Sequence, residues 1–162
     1  MMVEPATVRT VREVAENMRE RDRAEFMAVS PFQTHRQLVD EIVERYALHQ
    51  DAYAFLAADG TPVGIAGLIQ HRPNVVTLLF FATEQFPEIA SDLTRFVVQR
   101  LFPTYKARGV HRIECASIDG YGETHRWLGV LGLTEEAVMP CFGRGGETYI
   151  QFAWVISECT SG

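Results

Sequence analysis

Three observations predict a mixed α/β fold: a mixed, mainly antiparallel sheet of about seven strands with helices on both faces. The chain of 162 residues is 47% hydrophobic and 10% aromatic, enough to bury a core, and it carries no internal repeat, low-complexity stretch or Pro/Gly/Ser linker. A single domain over 1–162 is therefore expected. Hydrophobic patterns of period 2 and period 3.6 alternate along the chain in the order β-α-α-β-β-β-α-β-α-β-β. The run Val75-Val76-Thr77-Leu78-Leu79-Phe80-Phe81 is apolar on both faces, which marks a central strand covered from both sides.

Taken in order, a weak alternation over 6–11 reads as the first strand. Residues 12–28 carry Val14, Ala15, Met18, Phe26 and Met27 at helical spacing among charges, and Ser30-Pro31 ends that helix. A second helix covers 34–50, with Leu38, Ile42, Val43, Tyr46 and Ala47 on its apolar side. Strands over 52–57 and 61–70 join at the Asp59-Gly60 turn, where Gly64 and Gly67 suggest a bulge or close packing. The central strand spans 74–83. Pro87 suits the first turn of a long helix over 87–107, stopped by Gly109 and kinked or ended early by Pro103. A strand over 110–118, a short helix over 122–131 stopped by Gly132, and a hairpin of 133–142 with 147–155 complete the order. The strands at 75–83 and 110–118 are expected to be parallel neighbours, joined by a right-handed crossover and diverging toward Thr83 and Ile118.

Charge and motifs exclude several classes. Lys and Arg number 15 against 21 Asp and Glu, a net charge of −6 that repels phosphate backbones and anionic lipid, so neither nucleic acid nor a membrane is an expected partner. Cys115, Cys141 and Cys159 are odd in number and lack C-x-x-C spacing, which points to reduced thiols and a cytoplasmic location. The longest apolar run, 75–82, is too short to span a bilayer, and residues 1–5 lack the pattern of a leader. His35, His49, His71, His111 and His125 fall at no ligand spacing, so no metal is expected, and neither a G-x-S-x-G elbow nor a G-x-x-x-x-G-K-[ST] loop is present. Arg95, Arg100, Lys106, Arg108 and Arg112 read as cations near a helix C-terminus.

The segment His125-Arg126-Trp127-Leu128-Gly129-Val130-Leu131-Gly132-Leu133, followed by Pro140 and by Tyr149-Ile150-Gln151-Phe152, is similar to the last helix, glycine corner and closing strands of the GNAT superfamily of acyl-CoA-dependent N-acetyltransferases. With the element order, that resemblance covers nearly the whole chain. Residues 17–25 and 124–132 further resemble small GNAT-like proteins encoded by tailed bacteriophages. The resemblance implies acetyl transfer from acetyl-CoA to an amine acceptor whose identity is open. The alternative it leaves is a catalytically silent GNAT fold serving as an interaction or virion-associated module.

In that family the pyrophosphate of the acyl donor rests on the amides of a [QR]-x-x-G-x-[GA] loop that opens the central helix. Matching the helix puts this loop at Gln85-Phe86-Pro87-Glu88-Ile89-Ala90, where Gln85 and Ala90 fit and Glu88 replaces the glycine. Glu84, Glu88 and Asp92 share one face of the helix start, where carboxylates complement the dipole and repel a pyrophosphate, so weakened acetyl-CoA binding is expected. Leu128 stands where many members carry a Tyr general acid, leaving Tyr121 as the candidate proton donor. The amides of Phe81, Ala82 and Thr83 are the expected oxyanion donors and Glu84 the expected base. Glu84 also reads as a helix-start carboxylate, and Tyr121 as a loop tyrosine packing on the sheet. His125, Glu114 and Cys115 are weaker candidates.

Overall fold

The computed structural model describes residues 1–160 and has strands β1 (Met2–Pro5), β2 (Ala52–Leu56), β3 (Pro62–Arg72), β4 (Val75–Ala82), β5 (Arg112–Ile118), β6 (Thr134–Met139) and β7 (Tyr149–Val155). They form a mostly antiparallel seven-stranded sheet in the order β1-β2-β3-β4-β5-β7-β6. Its helices are α1 (Val8–Glu16), α2 (Glu20–Ala28), α3 (His35–Tyr46), α4 (Ala90–Phe96), α5 (Phe102–Ala107) and α6 (Gly122–Val130). The expected mixed α/β class is the class observed, with one more helix before β2 than the pattern predicts. By its packing the chain divides into two compact units, Met1–Leu68 with Leu79–Leu93, and Ile69–Leu78 with the chain from Thr94 onward.

In the first unit the strand expected at 6–11 is displaced. β1 lies earlier, paired with β2 from Met2↔Leu56 to Pro5↔Tyr53, and Thr7 opens α1. The Thr7 hydroxyl accepts the Thr10 N–H at 3.2 Å while Thr10 Oγ1 accepts the Thr7 N–H at 3.0 Å, a reciprocal cap made from two threonines where the usual pattern has Thr and Glu.

The single helix expected over 12–28 is two helices. Asn17 ends α1, its side chain donating to the Glu13 carbonyl at 2.8 Å, and Arg19 takes an extended conformation (φ −56°, ψ 149°) before α2 begins. Hydrophobic spacing runs through this break because Met18 turns to another use: it forms an antiparallel bridge with Thr83. A capping box of Thr34 and Gln37 starts α3, which stops at Tyr46 rather than at 50. Val11, Val14, Phe55, Ile65, Phe81 and Leu93 are fully buried in this unit. Gly67 permits a close crossing of chains, since a Cβ there would stand 2.5 Å from the Asp51 carbonyl oxygen, which already accepts the Leu68 N–H at 3.2 Å.

In the second unit β4 and β5 pair in parallel through Val75↔Arg112, Val76↔Ile113 and Thr77↔Glu114. That is the pairing the two-sided apolar run and the crossover predict. The register ends there although β4 runs on to Ala82 and β5 to Ile118. Pro103 does not end the crossover helix. A π turn over Val97–Leu101, with the Phe102 N–H bonded to the Val97 carbonyl, leads into α5, and Pro103 falls in the first turn of α5 where its missing N–H costs little. β7 lies between β5 and β6, antiparallel to both, and Phe102, Leu101, Ile113 and Leu133 are buried in this unit. Among the described residues, no helix is long and apolar enough to cross a membrane.

Candidate functional site

Alternation along β4 decides where its last polar groups point. The Thr83 N–H donates to the Val63 carbonyl on β3 at 2.8 Å, so Ala82, one residue earlier, presents its N–H and C=O on the opposite edge. Both are taken by residues 18–22. The Arg19 N–H donates to the Ala82 carbonyl at 2.8 Å, and the Ala82 N–H donates to Asp22 Oδ2 at 2.9 Å.

Asp22 lies in the first turn of α2, three residues after Arg19, and the guanidinium closes on its carboxylate at two points. Nε donates to Oδ2 at 3.0 Å and Nη2 to Oδ1 at 2.9 Å, the planar geometry that makes such pairs strong. The two side chains keep only 11% and 8% of their exposure. Arg19 also lies over the rings of Phe86 and Phe80, 4.9 and 5.5 Å from their centroids, and those rings meet edge to face at 5.3 Å. Burial pushes the Asp22 carboxyl above its ordinary value, with Arg19 and the Ala82 N–H pulling the other way.

The turn after β4 uses its own amides. Gln85 N–H donates to Thr83 Oγ1 at 3.3 Å, Phe86 N–H to the Thr83 carbonyl at 3.0 Å, Glu88 N–H to the Gln85 carbonyl at 2.9 Å and Ile89 N–H to the Phe86 carbonyl at 3.0 Å. Pro87 has no N–H, and Phe86–Glu88 form a 3₁₀ turn. A phosphate held at a helix start needs unpaired amides, and from Gln85 to Ile89 every N–H is paired. Glu84 and Glu88 are exposed in the same turn.

These bonds bear on the residues expected to hold the acyl donor. Gln85 and Ala90 bracket a turn that satisfies itself, and of the expected oxyanion donors Ala82 and Thr83 are both engaged, the first by Asp22 and the second by Val63. Phe81, the third, is buried with its ring edge-on to Phe26 at 5.7 Å. As folded, the amides of Ala82 and Thr83 and those of the turn from Gln85 to Ile89 are bonded within the chain.

In the second unit Tyr121 is half-buried at the start of α6, its N–H on the Ile118 carbonyl at 3.3 Å and its carbonyl accepting the His125 N–H at 3.0 Å. Leu128 points into the interior. His125 contacts the Ile118 carbonyl through Nε2 at 3.1 Å, so that nitrogen carries the proton, and its ring packs on Phe152 at 4.9 Å. Glu114 is tied to Arg112 and Arg72, and Arg112 reaches on to Glu136 at 2.8 Å. His125 and Glu114 therefore sit in structural contacts, and Cys115 is half-buried on β5. Among the described residues no group of three possible metal ligands gathers.

Sequence reasoning misses Arg19 and Asp22 as a pair. Their opposite charges at i and i+3 around a helix start are the only local signal. The partner that gives the pair its position, the Ala82 amide, is 60 residues away.

No protein-family model and no curated protein matches the sequence. Solved structures do resemble the fold. A spermidine N-acetyltransferase variant from Vibrio cholerae superposes with a TM-score of 0.69 at 10% identity, covering 96% of this chain and 95% of that one. A ribosomal-protein-alanine N-acetyltransferase from Brucella melitensis gives 0.65 at 14% identity over 96% and 100%. A GNAT-family acetyltransferase from Bacillus anthracis gives 0.64 at 10% identity over 94% and 93%. At these identities the likeness is one of fold, and the fold is that of the GNAT acetyltransferases.

Proposed function

We propose that the chain is a GNAT-type N-acetyltransferase that takes its acyl group from acetyl-CoA and passes it to an amine in the cytoplasm. The observation that carries the reading is the parallel β4–β5 ladder, closed after Thr77↔Glu114, within a sheet of GNAT order. The similar structures named above are all described as acetyltransferases. Acetyl-CoA supplies the activated thioester. The chain then has to supply a proton acceptor for the amine, a role we assign to exposed Glu84, and a proton for the departing thiol, from Tyr121 or solvent.

A second reading, a catalytically silent GNAT-fold interaction module, is favoured by one specific observation. The Ala82 and Thr83 amides and the turn amides from Gln85 to Ile89 are all bonded within the chain. Fold alone does not choose between the two. The deciding experiment is CoA release with a panel of amines that includes polyamines, aminoglycosides and peptide N-termini, alongside thermal shift with acetyl-CoA. Release with any acceptor, depressed in Glu84→Gln most strongly at lower pH where unprotonated amine is scarce, supports the transferase. No release and no shift supports the silent module.

A further inference from the structure

We propose that residues 19–22 form an autoinhibitory latch on the end of β4, in which the Asp22 carboxylate occupies the Ala82 N–H that an acyl carbonyl requires, so that acetyl-CoA binds only when the latch opens. The inference rests on the acyl-transfer reading above. Ala82 has one N–H, on the edge of β4 turned away from β3, and Asp22 Oδ2 accepts it at 2.9 Å. An ionised carboxylate is a stronger acceptor than a thioester carbonyl, and the two cannot share that hydrogen in good geometry. A carboxylate left in place would also oppose the negative charge that develops on the acyl oxygen, so transfer demands its departure.

The latch is fastened at several points. The Arg19 N–H holds the Ala82 carbonyl, the guanidinium grips Asp22 twice, and its face covers Phe86 and Phe80. All of this hangs on the break between α1 and α2, where residues 17–19 are already outside helix. A backbone rotation in those residues withdraws the main-chain bond and both side chains together, the form a hinge takes in a two-state element. Because the competent state is only a fraction of the population, the apparent dissociation constant is the intrinsic one divided by that fraction.

The test is calorimetric titration of acetyl-CoA, and separately of uncharged S-acetylpantetheine, into the wild type and Asp22→Ala, with circular dichroism to confirm folding. The expected result is at least about tenfold tighter binding of both ligands by Asp22→Ala, the scale of one charge-assisted hydrogen bond. Equal binding by the two folded proteins overturns the latch and leaves the acyl-CoA reading standing. A gain confined to acetyl-CoA also overturns it, because the released Arg19 charge would then be drawing phosphate. No binding to either overturns the acyl-CoA reading and the latch with it. Should Asp22→Ala fail to fold, the wild type itself answers: the Asp22 carboxyl carbon resonance is expected to move on saturation with acetyl-CoA, and an unmoved resonance overturns the latch.

Discussion

The two parallel strands end in turns of opposite construction. The turn after β4 is held from a distance, by a buried ion pair that comes from the α1–α2 break and bonds a main-chain amide 60 residues on. The turn after β5 is held by main-chain bonds and a glycine conformation. Gly120 adopts φ +93°, the Gly122 N–H returns to the Gly120 carbonyl at 2.9 Å, and the Asp119 N–H crosses to the Thr148 carbonyl at 2.9 Å. A turn shaped by backbone preference keeps its form whatever charges surround it. A turn shaped by a desolvated ion pair changes form when either charge is removed, neutralised or drawn to something else.

The sharpest way to break this contrast is Asp22→Ala. The substitution leaves the Arg19 guanidinium, 11% exposed, and the Ala82 N–H without their shared acceptor, and stacking on Phe80 and Phe86 compensates only in part. Breaking one side of such a pair is expected to cost about 3 kcal/mol in stability, read from denaturant unfolding. A loss under about 0.5 kcal/mol, the range of an ordinary surface change, would mean that the turn holds itself.

Next in size is a kinetic effect at the other turn. If Tyr121 protonates the departing thiol, Tyr121→Phe is expected to lower turnover about 100-fold at an unchanged melting temperature. Unchanged turnover assigns that proton to solvent and makes Tyr121 a packing residue at the start of α6.

Each turn was legible in the sequence to the extent that its causes are local. Gly120, Gly122 and the stop at Gly132 announce the β5–α6 corner, since only backbone freedom is at stake, and the parallel β4–β5 pair follows from an apolar run that leaves no exposed face. The break in the first helix was not legible. Asn17, Met18 and Arg19 carry neither Gly nor Pro, and Met18 keeps the helical spacing while serving β4 instead. Alternation locates the amides of Ala82 and Thr83 at a strand end and does not show what bonds them. Residue types place Glu84, Glu88 and Gln85 in one turn, and only the structure shows that the amides of that turn are spent on its own carbonyls and the Thr83 hydroxyl.

A smaller effect separates local from distant control directly. No atom lies within 4 Å of a Cβ built on Gly120, so Gly120→Ala carries a conformational cost alone, about 1 kcal/mol for a side chain forced into the left-handed region. Its loss is expected to add to that of Asp22→Ala in the double variant, since the bonds named above for the two turns have no residue in common. A double variant departing from the sum by more than about 1 kcal/mol would show that the turns are coupled.

The smallest expected effect is the pH dependence that Asp22 itself imposes. Burial outweighs Arg19 in setting this carboxyl, so its folded value lies above the ordinary 3.8. As pH falls through the raised value, the folded protein takes up a proton that the unfolded chain still lacks, and by linkage this group adds stability until the pH passes below the unfolded value. Asp22→Asn removes the titration while keeping an acceptor for the Ala82 N–H, and every other carboxylate cancels between the two proteins. The difference in melting temperature, wild type minus Asp22→Asn, is therefore expected to shift in favour of the wild type as the pH falls from neutral toward the ordinary 3.8. A shift toward the variant would mean that the attraction of Arg19 exceeds the desolvation of the carboxylate.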